Sequence, residues 1–147
     1  MLSKAVLLAS ECHYNQYDKG GKPYILHPLR LMNKMDQSDY ELMAIAVLHD
    51  VVEDCEDTSI EVLRNEGMSE RILTALELLT HKEEDSYQEY IEKISRNIDA
   101  IEVKMADLED NSDITRLKGL REKDIKRLEK YHKSYTFLKE AKESISQ

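Results

Sequence analysis

Apolar positions recur along most of this chain with a helical period. Residues 2 to about 16 bring Ala5, Leu8, Ala9 and Cys12 near one face, which predicts a first helix. "YDKGGKP", residues 17 to 23, breaks the pattern with paired glycines, a proline and two lysines and reads as a loop. The pattern resumes at Tyr24, and Pro28 starts or kinks a helix that carries Leu29, Leu31 and Met32. Leu42 to Leu48 is apolar on every side and predicts a central helix buried all round, capped by Asp39 or by Ser38. Thr58 and Glu61, three residues apart, form a capping-box pattern for another helix that Gly67 closes. Ile72, Ala75, Leu76 and Leu79 then recur at helical spacing, as do Tyr87, Tyr90, Ile91 and Ile94. "DAIEVKMADLEDNSDI" predicts one more helix, and a long one runs from about residue 119 to the end.

Composition agrees with this pattern. With four glycines, two prolines and 35% charged residues in 147, the chain lacks the turn-rich punctuation of a β-sandwich, and an all-α fold is expected. The length suits a single domain over residues 1–147, with a core over about 1–115 and a basic helix over about 119–145. A net charge of −9 argues against a nucleic-acid-binding module, which needs a basic face for phosphates. Residues 116 to 143 nevertheless hold 10 Lys/Arg against 5 Asp/Glu. Such a tail reads as a solvated or an intersubunit face, which leaves a homo-oligomer open. The two cysteines, Cys12 and Cys55, form no Cys-x-x-Cys unit, so neither a disulfide framework nor a zinc knuckle is expected and a reducing cytoplasm fits best. Polar residues interrupt the apolar start before a signal or membrane span is complete, so neither is expected.

The chemistry begins in "LMAIAVLHDVVEDCED", where a greasy run ends in His49, Asp50, Glu53 and Asp54. Burying a charged group without a partner is costly, so these residues either mark the end of a core helix or surround something positive. On a continuous helix His49 and Glu53 share a face, Asp50 and Asp54 share the next, and His49 with Asp50 can reach one cation. "VKMADLEDN" repeats the anomaly, with Asp107 after apolar residues and Asp110 and Asn111 on the same face. His27, His49, Asp50 and Asp107 together offer two nitrogens and two carboxylates, a donor set that suits one divalent ion: Mn2+ first, then Fe2+ or Zn2+. Taken singly the histidines have plainer readings. His27 suits a loop, His13 a core or surface position, and His81 and His132 exposed ones.

The ordered set "HYNQYDKGGKPYILHP", "LHDVVED" and "VKMADLEDN" resembles the HD-domain metal-dependent phosphohydrolases. Within them it is similar to the hydrolase domain of RelA/SpoT-type alarmone enzymes and to their small single-domain relatives. The resemblance covers about residues 8 to 115 and implies a compact multi-helix HD-domain fold. It implies His27, His49, Asp50 and Asp107 as metal ligands, and Glu53 and Asp54 as the acids that serve the attacking water. Asn111 then corresponds to an asparagine near the substrate ribose, Lys104 to the lysine before "AD", and Lys19 to the lysine of the loop before "PY". Two departures stand out. Asp18 replaces an arginine that helps hold the purine, and Glu109 and Asp110 stand where a basic residue or histidine is usual.

The resemblance implies metal-dependent removal of the 3′-pyrophosphate from a (p)ppGpp-like nucleotide. Lys19, Lys22 and Lys104 would offset the carboxylates around so anionic a substrate. Two rivals remain: an HD phosphatase on another nucleotide, such as a deoxynucleotide 5′-monophosphate, and a regulatory module that binds metal or nucleotide without turnover.

Overall fold

Seven consecutive buried residues, Leu42 to Leu48, form the axis around which the chain is arranged. The computed structural model describes residues 1–146. Its helices are α1 (Leu2–Cys12), α2 (Leu26–Lys34), α3 (Tyr40–Leu48), α4 (Val51–Asp54), α5 (Ile60–Asn65), α6 (Glu70–Leu79), α7 (Tyr87–Ile94), α8 (Ile98–Asn111) and α9 (Glu122–Ser146). A 3-10 turn, Ile114–Arg116, precedes the last of these. Among the described residues there is no strand, and the all-α expectation holds.

α3 needs no polar face because α1, α2, α6 and α8 each pack against it. α1 turns Ala5 and Ala9 toward the interior, where small side chains let two helices approach closely. α8 contributes Ala100, Ile101, Val103 and Leu108. The long α9 is amphipathic only in part: it lies on α8, buries Leu138 fully and pairs Lys142 Nζ with Glu102 at 2.7 Å. Side-chain caps mark the starts of α3, α5, α6, α7 and α8. Asp39 accepts the N–H of Leu42 at 3.1 Å, which decides between the two candidate caps of α3.

The structure corrects four expectations. The first helix stops at Cys12 instead of reaching residue 16, and in the turn that follows Asn15 adopts a positive φ of 63°. The cap of α5 is Ser59, whose Oγ accepts Val62 N–H at 3.2 Å. Thr58 still belongs to the preceding turn, its N–H bound to the Cys55 carbonyl at 3.1 Å. The helix expected to continue through residues 49 to 54 is broken at Asp50 (φ −103°, ψ −2°), so the doublet sits at a seam between α3 and α4.

Finally, Cys12 and Cys55 are joined as a disulfide with their Cα atoms 5.9 Å apart, across 43 residues of sequence. Separation along the chain does not prevent pairing once the ends of α1 and α4 meet. Cysteine usage therefore gives no support to a reducing compartment. No helix among the described residues is long and apolar enough to cross a membrane.

Candidate metal centre

The seam between α3 and α4 opens toward α2 and α8. His27 lies in the first turn of α2, where Pro28 is tolerated because the first helical N–H groups have no acceptor within the helix. Packing of α2 on α8 brings His27 Nε2 to 2.9 Å from Asp107 Oδ1, although 80 residues separate them. His49 Nε2 lies 3.0 Å from Asp50 Oδ2 and 3.5 Å from Asp107 Oδ1. One donor atom from each of His27, His49 and Asp50 falls within 4.8 Å of the others. The four residues singled out from the sequence therefore meet, with Asp107 joining through both histidines. His27, His49 and Asp107 are buried, and Asp50 is partly so.

His49 tests whether a cation fits. Its Nδ1 lies 2.8 Å from the Ala46 carbonyl, which can only accept, so Nδ1 carries a hydrogen. In the neutral ring Nε2 is then a bare lone pair. That atom is buried and, although two carboxylates are close, it makes no hydrogen bond of acceptable geometry among the described residues. A lone pair facing two anions is repulsive unless a positive charge lies among them. The donor set, without thiolates, fits Mn2+, Fe2+ or Zn2+.

In the metal-free protein a proton takes that place. Burial opposes charge on His49, but Asp50 and Asp107 outweigh it and raise its pKa well above the ordinary histidine value. Burial pushes Asp50 up, and His49 reverses this and brings it down to about 2. Asp107 is also raised by burial, yet Lys104 and the two histidines hold it well below the usual carboxylate range. The depressed acids stabilise the fold fully above their unfolded pKa, about 4, and lose that contribution as pH falls through their folded values. The raised His49 contributes fully below about 6.5 and loses its contribution as pH rises through the folded value. Thermal melts of chelated protein should thus peak between about pH 4 and 6.5, and added Mn2+ should restore the alkaline side by replacing the proton. A chelated protein that is most stable at pH 9 contradicts this assignment.

Around the four residues lies a ring of hydrogen bonds. Tyr24 donates its hydroxyl to Asp50 Oδ2. Lys104 Nζ reaches Asp107 Oδ2 at 2.9 Å and lies 5.2 Å from the Tyr90 ring centre. Asn111 Nδ2 donates to Asp107 Oδ1 at 3.0 Å. His27 Nδ1 is 2.6 Å from Asp110 Oδ2, and Asp110 also takes Arg30 Nε at 2.9 Å, Arg30 Nη2 at 3.0 Å and Arg116 Nη1 at 3.3 Å. Burial raises the Asp110 carboxyl, but these bonds from Arg30 and His27 hold it far below the usual range.

The two acids beyond the doublet lie on α4 and remain exposed. Glu53 accepts the backbone N–H of His81, and the surrounding protein, by desolvation, lifts its carboxyl above the usual range. Asp54 accepts Gln16 Nε2 at 3.1 Å, and Gln16 Oε1 in turn lies 2.8 Å from His13 Nδ1. Lys19 and Lys22 stay exposed on their loop and make no ion pair among the described residues. Asp18, in the place of the expected arginine, folds back to accept the N–H groups of Gly20 and Lys22, each at 2.9 Å.

Tyr24, Gln16, Arg30 and Arg116 join this network without standing out in the sequence, and so does His13, expected only at a core or surface position. Spacing offered one signal: Arg30 follows His27 by three residues, as Asp110 follows Asp107, so each pair shares a helix face. His13 is buried, and His81 and His132 are exposed as expected.

No family model matches the chain. Among curated proteins it is 32% identical over 120 residues to a guanosine-3′,5′-bis(diphosphate) 3′-pyrophosphohydrolase of Aquifex aeolicus, covering 75% of this chain and 17% of that protein. It is 31% identical over 117 residues to the bifunctional (p)ppGpp synthase/hydrolase SpoT of Escherichia coli, covering 72% and 17%. A guanosine-3′,5′-bis(diphosphate) 3′-pyrophosphohydrolase of Borreliella burgdorferi shares 34% over 79 residues, 52% of this chain and 12% of that protein. The matched stretch thus spans 12 to 17% of the length of these relatives. By these matches and its motif set, the chain is an HD-type, RelA/SpoT hydrolase-like domain, similar to a segment of those proteins and not to their whole length.

Proposed function

We propose that the protein is a metal-dependent phosphohydrolase that removes the 3′-pyrophosphate of a (p)ppGpp-like nucleotide. The observation that carries this reading is the buried His49 Nε2, left without a hydrogen bond beside two carboxylates. His27, His49, Asp50 and Asp107 would hold one divalent ion, Mn2+ by first preference and Fe2+ or Zn2+ as alternatives. Such an ion lowers the pKa of a water and draws electron density from a phosphoryl oxygen.

The chain's own residues supply the remainder. Glu53, whose carboxyl is raised above its usual range, is suited to take a proton from the attacking water and to return it to the leaving oxygen. Asp54 shares that work and is held in place by Gln16 and His13. Lys19 and Lys22, exposed and uncommitted, can attract and hold phosphate groups. Lys104 and Asn111 have a narrower part than the resemblance implies, since both already bond Asp107 and orient it. With Asp18 folded into its own loop, purine recognition by an arginine at that position is absent, and the base preference stays broad in this reading.

The test is a nucleotide panel with Mn2+, comparing guanine and adenine 3′-pyrophosphates with deoxynucleotide 5′-monophosphates. Pyrophosphate release from the first group supports the reading. Orthophosphate release from monophosphates alone moves the assignment to an HD nucleotidase, and no release with any metal leaves a binding module.

A further inference from the structure

The two histidines of the centre are oriented by different devices. The His49 ring is fixed by its own helix, through the Ala46 carbonyl three residues earlier. His27 has no such backbone partner. Its ring packs edge-on to His49 at 5.2 Å and tilts against Tyr24 at 5.6 Å, apolar contacts that do not distinguish its two nitrogens. What selects one orientation is Asp110, whose Oδ2 lies 2.6 Å from His27 Nδ1.

We propose that Asp110 is a positioning residue, which fixes the His27 tautomer with hydrogen on Nδ1 and turns the Nε2 lone pair toward Asp50, His49 and Asp107. Arg30 and Arg116 in turn keep the Asp110 carboxylate from rotating away. The inference rests on the metal-binding part of the reading above and not on the identity of the nucleotide.

Three features carry it. First, the donors around Asp110 leave its carboxylate purely an acceptor: Arg30 Nε on Oδ1, and Arg30 Nη2, Arg116 Nη1 and His27 Nδ1 on Oδ2. An arginine always donates, so the hydrogen between Asp110 and His27 comes from the ring. Second, the Asp110 and His27 side chains are each only 7% exposed, so water has little access to replace the bond. Third, Asp107 and Asp110 are three residues apart on α8 and grip opposite nitrogens of the one imidazole. A ring held between two carboxylates on one helix is aimed by α8 itself. A carboxylate behind a metal-binding histidine fixes its tautomer and raises its basicity, and losing such a partner typically lowers metal affinity about 10- to 100-fold.

The experiment uses the diamagnetic ion Zn2+ and the full chain. Long-range proton–nitrogen correlation spectra of the Zn2+-loaded wild-type protein should show hydrogen on Nδ1 of both His27 and His49. In Asp110→Asn an amide offers one acceptor oxygen where the carboxylate offers two, so the His27 pattern should change. Zn2+ should then bind about 10- to 100-fold more weakly, while the His49 pattern, anchored on Ala46, stays as it was. Arg30→Gln, which leaves the Asp110–His27 bond in place, should shift Zn2+ affinity by a smaller factor and serves if Asp110→Asn does not fold.

Hydrogen on His27 Nε2 in the wild-type protein overturns the proposal. So does an Asp110→Asn protein that binds Zn2+ within twofold of wild type with its His27 pattern intact. A tenfold or greater loss of Zn2+ affinity in Asp110→Asn, in a protein whose wild type hydrolyses nothing in the nucleotide panel, supports the role of Asp110 and removes the hydrolase reading alone.

Discussion

Replacing Asp107 with asparagine is expected to abolish turnover and to weaken divalent-ion binding at the same time as it destabilises the fold. The carboxylate is buried and carries four relations at once: His27 Nε2, the vicinity of His49 Nε2, the Lys104 ammonium and the Asn111 amide. Asparagine keeps the shape but removes the charge. The Lys104 side chain, 12% exposed, is then a cation beside a neutral amide. Breaking a buried pair on one side costs about 3–5 kcal/mol. Urea melts of the metal-free variant against wild type measure that term, and isothermal titration with Mn2+ measures the loss of binding. A variant with wild-type Mn2+ affinity removes Asp107 from the centre.

Glu53→Gln should have the opposite profile. The amide oxygen can still accept the His81 N–H, so the end of α4 stays in place and the ion should bind within a few-fold of wild type. What disappears is the ability to take a proton, and loss of a general base typically costs about 10²- to 10⁴-fold in rate. Measured side by side, the two substitutions separate holding the ion from using it. Unimpaired turnover in Glu53→Gln would transfer the proton-handling role to Asp54.

The sequence carried the identities of the centre's residues better than its geometry. His49 and Asp50 were conspicuous because they interrupt a run that has no polar side, and the run itself marked α3 as central. What could not be read was the break at Asp50. Nothing in the local apolar pattern marks a pause there. The continuous-helix picture stacked His49 over Glu53. In the structure His49 and Asp50 point into the seam, and the two acids belong to the separate turn that follows.

The relay from His13 through Gln16 to Asp54 was hidden for another reason. It depends on Asn15 turning the chain after α1, a conformation that a non-glycine residue adopts uncommonly and that a helical pattern overrides on paper. Asp110 was visible as a departure, an acid where a base was expected. Of its partners, Arg116 lies six residues further on, whereas Arg30 comes from α2, 80 residues away, and helix spacing hinted at it without showing that α2 and α8 meet.

The link between Cys12 and Cys55 has one further consequence, because the exposed glycine loop lies between the two positions it joins. A protease that nicks the backbone once after Lys19 leaves two pieces still covalently connected. They migrate together on a gel until a thiol is added, and α1 stays moored to the body even when the peptide thread to it has been cut.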